Sequence, residues 1–471
     1  MNALNPIQKE ELMRKVAKCM PWILLFEFFQ VFNENIFSLI TPNLAVDFGV
    51  SPSTVSLVVT LGKLFFGVAA IVVTALSDIM SIRKLVLFSC FVFPVVTLLG
   101  LFIGDSFVLL ILFRVLFAVT IAAPVALQIV IAIKYFDKLT AAKYFGYNAA
   151  IFQLAAACGN LFGGYITEYL HWKVTFLIPL ITVIGVPIIY KHLPKDDGKT
   201  GKFDILGVSL LTIISALLIT FMTFKMQHLS LFLIALVFIG VFIVHTNKSK
   251  DPFVKPSLFK TKGIIWSLVV CLLFYGTQIG FAFIFPFIVK SVYGMSVSII
   301  GTFYMITNVA AFITGMLTGR IIKKIGYRNM GLLGGAFILA GLGVVAFLVG
   351  YSVVFPFLGM GLFNIGYALF FSGYLTNYTQ LLPEDQHGAG IGIEKLVLNI
   401  GSSLGGAFVA MLYGQQFMMG KIVDTSSNVD SGMYSNIALV LMIMIAVAIF
   451  IFTRVFNKNF NKIGKTDESV A

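Results

Sequence analysis

Charge is scarce in this 471-residue chain: Asp, Glu, Lys and Arg together make up 11% of it, against roughly 25% in an ordinary soluble domain. A sequence that is 59% hydrophobic, with a mean hydropathy of +0.98, cannot clothe a water-soluble surface. An integral membrane protein is expected. Histidine is scarce too. The five residues (His171, His192, His228, His245, His387) are scattered at predicted helix ends, a pattern that argues against a metal centre or a His-based catalytic group. The four cysteines (Cys19, Cys90, Cys158, Cys271) have neither zinc spacing nor a disulfide pattern, and are expected to be reduced packing residues. A phosphate-binding loop is missing as well: GKT at 198–200 ends like one, but Leu193 stands where its first glycine belongs and no strand precedes it. Residues 1–18 are charged and lack the short apolar core and small-residue cleavage site of a signal peptide, so no cleavage is expected. Neither an enzyme nor a cofactor is expected.

What the chain has instead is apolar runs. A bilayer core takes about 20 such residues per helix, and fourteen runs qualify: 20–41, 55–76, 84–104, 107–131, 143–167, 172–191, 205–224, 229–246, 263–289, 298–321, 329–349, 352–379, 388–413 and 433–455. An even number puts both termini on one side of the membrane. Of the 33 basic residues, 26 fall on the termini and even-numbered loops and four on the odd-numbered loops (Lys173, Lys225, Lys290, Lys421). Short basic loops stay in the cytoplasm, so both termini are expected there. The net charge of +13 is then explained by basic anchors over anionic lipid, with no nucleic acid involved.

Two charged loops, KHLPKDDGKTGKFD (191–204) and NKSKDPFVKPSLFKTK (247–262), bracket spans 7 and 8, which hold almost no ionisable residues. The predicted order is six helices (1–191), a peripheral pair with its loops (192–262), and six more with a tail (263–471). Six plus six is the layout of a carrier built from two parallel halves, with its cavity at the midplane between them.

The remaining charges inside spans are conspicuous, because ionisable groups in a membrane are expensive and usually functional. Span 1 contains FEFFQVFNENIF (26–37), in which Glu27 and Glu34 lie about 10.5 Å apart along the axis and about 20° off one face. Gln30 sits between them, and Asn33 and Asn35 flank Glu34, so a polar stripe runs through an aromatic helix. Proton coupling needs a carboxyl that is alternately buried and hydrated. Glu34 is the leading candidate. Glu27 is the second, with structural pairing or a substrate contact as its alternatives. Lys63 in span 2 and Glu394 with Lys395 in span 13 could partner these acids, pair structurally, or reach headgroups. Arg114 in span 4 either has a protein partner or snorkels.

Three motifs complete the inventory. Asp78, Arg83 and Lys84 in ALSDIMSIRKL (75–85) could latch spans 2 and 3 across a short turn. Arg114 stands in LLILFRVLFAVTIAAP (109–124). Gly159, Gly163 and Gly164 in AACGNLFGGYITEYLHW (156–172) permit close helix contact or bending.

Together and in this order, these residues resemble the major facilitator superfamily, specifically its fourteen-helix drug:proton antiporter branch and, within it, Gram-positive tetracycline and multidrug exporters. FDILG (203–207), DPFV (251–254) and GAGIGIEKLVLNIGSSLGG (388–406) add to the likeness, which spans almost the whole chain. Val72, Ser81, Phe117, Ala118 and Asn160 depart from the family's motifs. The resemblance implies an all-α major facilitator fold of fourteen transmembrane helices (6 + 2 + 6) in a bacterial plasma membrane. It also implies gating roles for Asp78, Arg83, Lys84, Arg114, Gly159, Asn160, Gly163 and Gly164, and a proton gradient as energy source.

A cavity with aromatic walls and a carboxylate suits a lipophilic cation through burial, cation–π contact and charge pairing. Its expected lining is Glu34, Phe29, Asn33, Phe37, Gln128, Gln153, Tyr275, Gln278, Phe281, Tyr367 and Tyr374. The resemblance implies export of dyes such as ethidium or acriflavine, with fluoroquinolones or tetracycline as further candidates; a monomer is expected. The alternatives are a proton-coupled nutrient uptake symporter of the same fold and a non-transporting membrane sensor.

Overall fold

The structure is a computed structural model that describes residues 6–104, 106–136, 138–195, 204–224, 226–249, 252, 262–382, 387–419 and 429–456. Every regular element among them is helical: Pro6–Leu39 (span 1), Leu57–Ile79 (span 2), Ile82–Leu99 (span 3), Phe107–Tyr135 (span 4), Lys138–Tyr169 (span 5), Ile205–Thr223 (span 7), Leu229–Lys248 (span 8), Lys262–Tyr293 (span 9), Val297–Leu348 (spans 10 and 11), Val354–Thr379 (span 12), His387–Leu412 (span 13) and Val429–Val455 (span 14). Span 6 is assembled from Trp172–Phe176, Ile178–Gly185 and Val186–His192. Among the described residues, thirteen helices are long and apolar enough to cross a membrane. Span 1, with Thr41–Asp47 bent 60° away from it, makes the fourteenth. Residues 196–203, 250–251 and 253–261, which hold most of both predicted linkers, lie outside the described residues, as does the side chain of Asp78.

Three elements differ from the sequence-based expectation. Span 1 begins at Pro6, well before the apolar run, because its first turns form a polar helix tied by Glu10–Arg14 and Glu11–Lys15 pairs, each 2.8 Å. Span 6 is largely wound as a 3-10 helix up to Gly185. Pro179 and Pro187 lack the amide hydrogens an α-helix needs, and each stands in the first turn of a new segment. Spans 10 and 11 are joined almost without a loop, the turn being made at Gly326 (φ 79°, ψ 163°), a conformation that only glycine adopts without strain.

Spans 1 to 6 pack on one another, as do spans 9 to 14, and the two sets meet along two seams: span 2 against span 13, and span 5 against span 10. Span 7 packs on spans 2 and 13, burying Ile219 with Leu64 and Ala407. Span 8 packs on span 7. Asp204 caps span 7 by accepting from the Gly207 amide (2.8 Å), and its carboxylate also meets His245 Nε2 of span 8 at 2.6 Å. The pair is therefore pinned at its even-loop end.

The odd-loop face is closed across the second seam. The N-terminus of span 10 has no capping bond from its own Ser296; instead Glu168 of span 5 accepts from the Ser298 amide at 3.0 Å. Nearby, Lys290 of span 9 donates to Asn43, just beyond span 1, at 2.7 Å.

Candidate functional site

Span 1 presents its polar residues to three neighbours. Glu34 accepts from Lys63 Nζ of span 2 at 2.6 Å and from Gln30, one turn back on its own helix, at 2.6 Å. Both members of the ion pair keep 17% of their side-chain surface exposed, so packing does not seal the pair. Glu27 is 7% exposed and has neutral partners: Gln128 of span 4 donates to one carboxylate oxygen, and Asn148 of span 5 donates to the same oxygen at 3.0 Å. Lys395 of span 13 lies close enough for its charge to act on Glu27. The two acids of one helix therefore sit in different environments, one paired with a cation and one held by amides.

Arg114 is buried (3% exposed) and does not snorkel. Its guanidinium donates to Asn33 Oδ1 and to the Val58 carbonyl (3.3 Å), and lies over the Phe37 ring with 4.2 Å to the centroid. The charge of Glu34 acts on it. Spans 1, 2 and 4 are thus stitched by Lys63 and Arg114 on either side of the Asn33–Glu34 step.

The glycines of span 5 make the close approaches expected of them, in two directions. A Cβ on Gly159 would stand 2.5 Å from the Phe32 carbonyl oxygen, and one on Gly163 would stand 2.5 Å from Ile36 Cγ1, both on span 1. A Cβ on Gly164 would stand 2.7 Å from the Val297 carbonyl oxygen at the head of span 10. Asn160, between them, donates to Asn35 Oδ1 at 3.3 Å. The stripe on span 1 therefore continues into span 5.

The remaining expected residues divide. Gln128 belongs to the Glu27 cluster, while Gln153 and Gln278 are half-buried. Tyr275 and Tyr367 pack edge to face at 5.7 Å, with Tyr367 stacked on Phe274 at 4.6 Å. Four aromatics are enclosed by packing. Phe29 meets Phe28 and Phe32, and Phe37 stacks on Phe176. Phe281 packs on Phe285 and Phe363. Tyr374 donates to the Ser267 carbonyl at 3.1 Å. Arg83 turns to span 6, donating to the Tyr190 carbonyl at 2.6 Å, and Lys84 is exposed. Glu394 is fully enclosed and stands apart from the span 1 cluster, while the neighbouring Lys395 is exposed.

Gln30 and Asn148 were absent from the expected site. Gln30 was visible as part of the stripe. Asn148 gave a weaker signal, a lone amide in a span, and only the fold brings it to Glu27.

A polytopic bundle closed at one face, with buried acids and amides where its helices converge, defines a carrier of small solutes. The Major Facilitator Superfamily profile matches residues 23–406, and the chain belongs to that family of transporters. It is 29% identical over 211 residues to the multidrug transporter protein MdtP of Bacillus subtilis, a match covering 42% of this chain and 39% of that protein. Over longer stretches it is 24% identical to the riboflavin transporter RibZ of Clostridioides difficile (84% of this chain, 88% of that one). It is 23% identical to the methyl viologen resistance protein SmvA of Salmonella typhimurium (82% and 80%). Among solved structures it is similar to a bacterial homologue of the human lysosomal transporter Spinster in an inward-facing, unoccupied conformation, with TM-score 0.65, 13% identity, and coverage of 94% of this chain and 97% of that one.

Proposed function

We propose that this transporter is a proton-coupled efflux antiporter of lipophilic cations in a bacterial plasma membrane, with both termini cytoplasmic. The halves 1–191 and 263–471 would rock about the span 1 site while 192–262 stays at the periphery. The observation that carries the reading is the ion pair of Glu34 with Lys63 at 2.6 Å, two turns from a Glu27 held by amides. A lipophilic cation can take the place of Lys63 against Glu34, since both present positive charge and the pair is partly exposed. Glu27, with neutral partners, can bind or release a proton without breaking an ion pair. Cargo and proton thereby act on one helix and bias the same conformational equilibrium, which is what coupling requires. Ethidium, acriflavine and dications of the methyl viologen kind are the expected cargo. The drug-related names of two relatives support this.

A second reading, proton-coupled uptake of a nutrient, is favoured by the riboflavin transporter, whose match covers 84% of this chain. Ethidium efflux from loaded cells, with and without a proton uncoupler, separates the two for the parent and for Glu34→Gln. Uncoupler-sensitive efflux in the parent that is lost in the variant supports export. Accumulation of cargo, or unimpaired uphill efflux by the variant, overturns it.

A further inference from the structure

Glu394 has no part in the span 1 site, yet it is 0% exposed, more deeply enclosed than either Glu27 or Glu34. It lies on span 13 against span 9, where the Cys271 thiol approaches Oε1 at 3.7 Å and Oε2 has no hydrogen-bond partner. Among the described residues it makes no ion pair.

Apart from the exposed Lys395 beside it, the titratable groups packed around it are one thiol and four phenols. Cys271 and Tyr275 face it from span 9, and Tyr367, Tyr374 and Tyr378 from span 12. The hydroxyls of Tyr374 and Tyr378 are spent on the Ser267 and Gly390 carbonyls, at 3.1 and 2.8 Å, and so do not solvate the carboxyl. The rings of Phe370, Tyr374 and Tyr378 stack in sequence at 6.1 and 6.0 Å, forming an apolar wall. A carboxylate enclosed in such surroundings, with Oε2 unpartnered, is disfavoured, and the enclosure leaves no room for an organic cation. A proton is the one cation the site accepts as built. The adjacent Lys395 is exposed, and its charge acts on both Glu394 and Glu27.

We propose that Glu394 is a second proton-exchanging carboxyl, placed in the second set of six spans and linked through Lys395 to the acid cluster of span 1. When spans 9 and 13 admit water, the Oε2–H bond breaks, its electron pair stays on the carboxylate, and the proton passes to water. The ammonium of Lys395 then offers the resulting anion a partner. On re-enclosure the reverse transfer restores the acid. This rests on the proton-coupled reading above and adds a second proton to its cycle.

The test uses purified full-length protein and needs no cargo. Infrared difference spectra between acid and alkaline solution should show a protonated-carboxyl band that Glu394→Gln loses and Glu394→Asp keeps at a shifted position. An unchanged carboxyl region in Glu394→Gln overturns the proposal. In vesicles, the number of protons moved per ethidium should halve in Glu394→Gln and recover in Glu394→Asp. An unaltered ratio in an active Glu394→Gln also overturns it, since a purely structural Glu394 would lower stability and leave the ratio alone. If the parent itself moves no protons with cargo while the infrared band behaves as expected, the coupled-antiport reading fails and the protonation site stands.

Discussion

Gly164→Val should unlock the odd-loop face without touching the acid cluster. The added Cβ would sit 2.7 Å from the Val297 carbonyl oxygen and 3.0 Å from Ser298 Cα, whereas a relaxed C···O contact is about 3.3–3.6 Å. The two helices must part by roughly 0.6 Å or more. Overpacking of this kind costs about 1–3 kcal/mol. The obstacle is backbone at the first turn of span 10, so no rotamer change relieves it. On the alternating-access reading this seam parts when the face opens, so the penalty should fall on one state and move the equilibrium about 5- to 150-fold toward opening. Gly163→Val is the control: its clash is with Ile36 of span 1, within the first six spans, and it should lower stability without favouring either state. The assay is pulsed electron resonance between spin labels at Val46→Cys and Ile299→Cys, both exposed positions, with the four native cysteines replaced by alanine. A longer label separation in Gly164→Val but not in Gly163→Val is expected. Equal distance distributions in all three proteins would refute the assignment of this seam as the gate.

Three further outcomes follow from the same contacts. Arg114→Lys keeps the charge but cannot hold Asn33, the Val58 carbonyl and the Phe37 face together, and should lose about 1.5–3 kcal/mol in thermal unfolding of the purified protein. Glu34→Gln and Lys63→Met should each destabilise, at about 2 kcal/mol or less because the pair is partly exposed, and the double variant should lose clearly less than the sum. Additive losses would mean that the pair is not energetically coupled. Asp204→Ala removes the cap of span 7 and the contact to His245, so it should cost about 1–2 kcal/mol while transport per folded molecule persists.

The number and order of spans were legible because a bilayer demands long apolar runs, and composition alone reveals them. Local winding was less so. The polar first turns of span 1 have no hydropathy signature, and the 3-10 course of span 6 depended on where Pro179 and Pro187 fell. The polar stripe of span 1 was visible from helical periodicity within a single segment. Its partners were not: Gln128 and Asn148 lie 101 and 121 residues from Glu27, and Lys63 lies 29 from Glu34, so only the packing of spans 1, 2, 4 and 5 brings them together. Aromatic character proved an ambiguous guide, since Phe37 and Phe281 serve helix packing while Tyr275 and Tyr367 cluster in the second set of spans. A ring meets lipid, core or cavity with the same sequence signature.

Exchange of protons for cargo at span 1 is the centre of this account. The most direct measurement places purified protein in vesicles with a pH-sensitive dye inside, imposes an outward ethidium gradient and no pH gradient, and follows internal pH. Ethidium leaving should drive protons inward and acidify the lumen, and Glu34→Gln and Glu27→Gln should each abolish the acidification. Alkalinisation of the lumen, or ethidium movement with no proton signal in the parent, would contradict it.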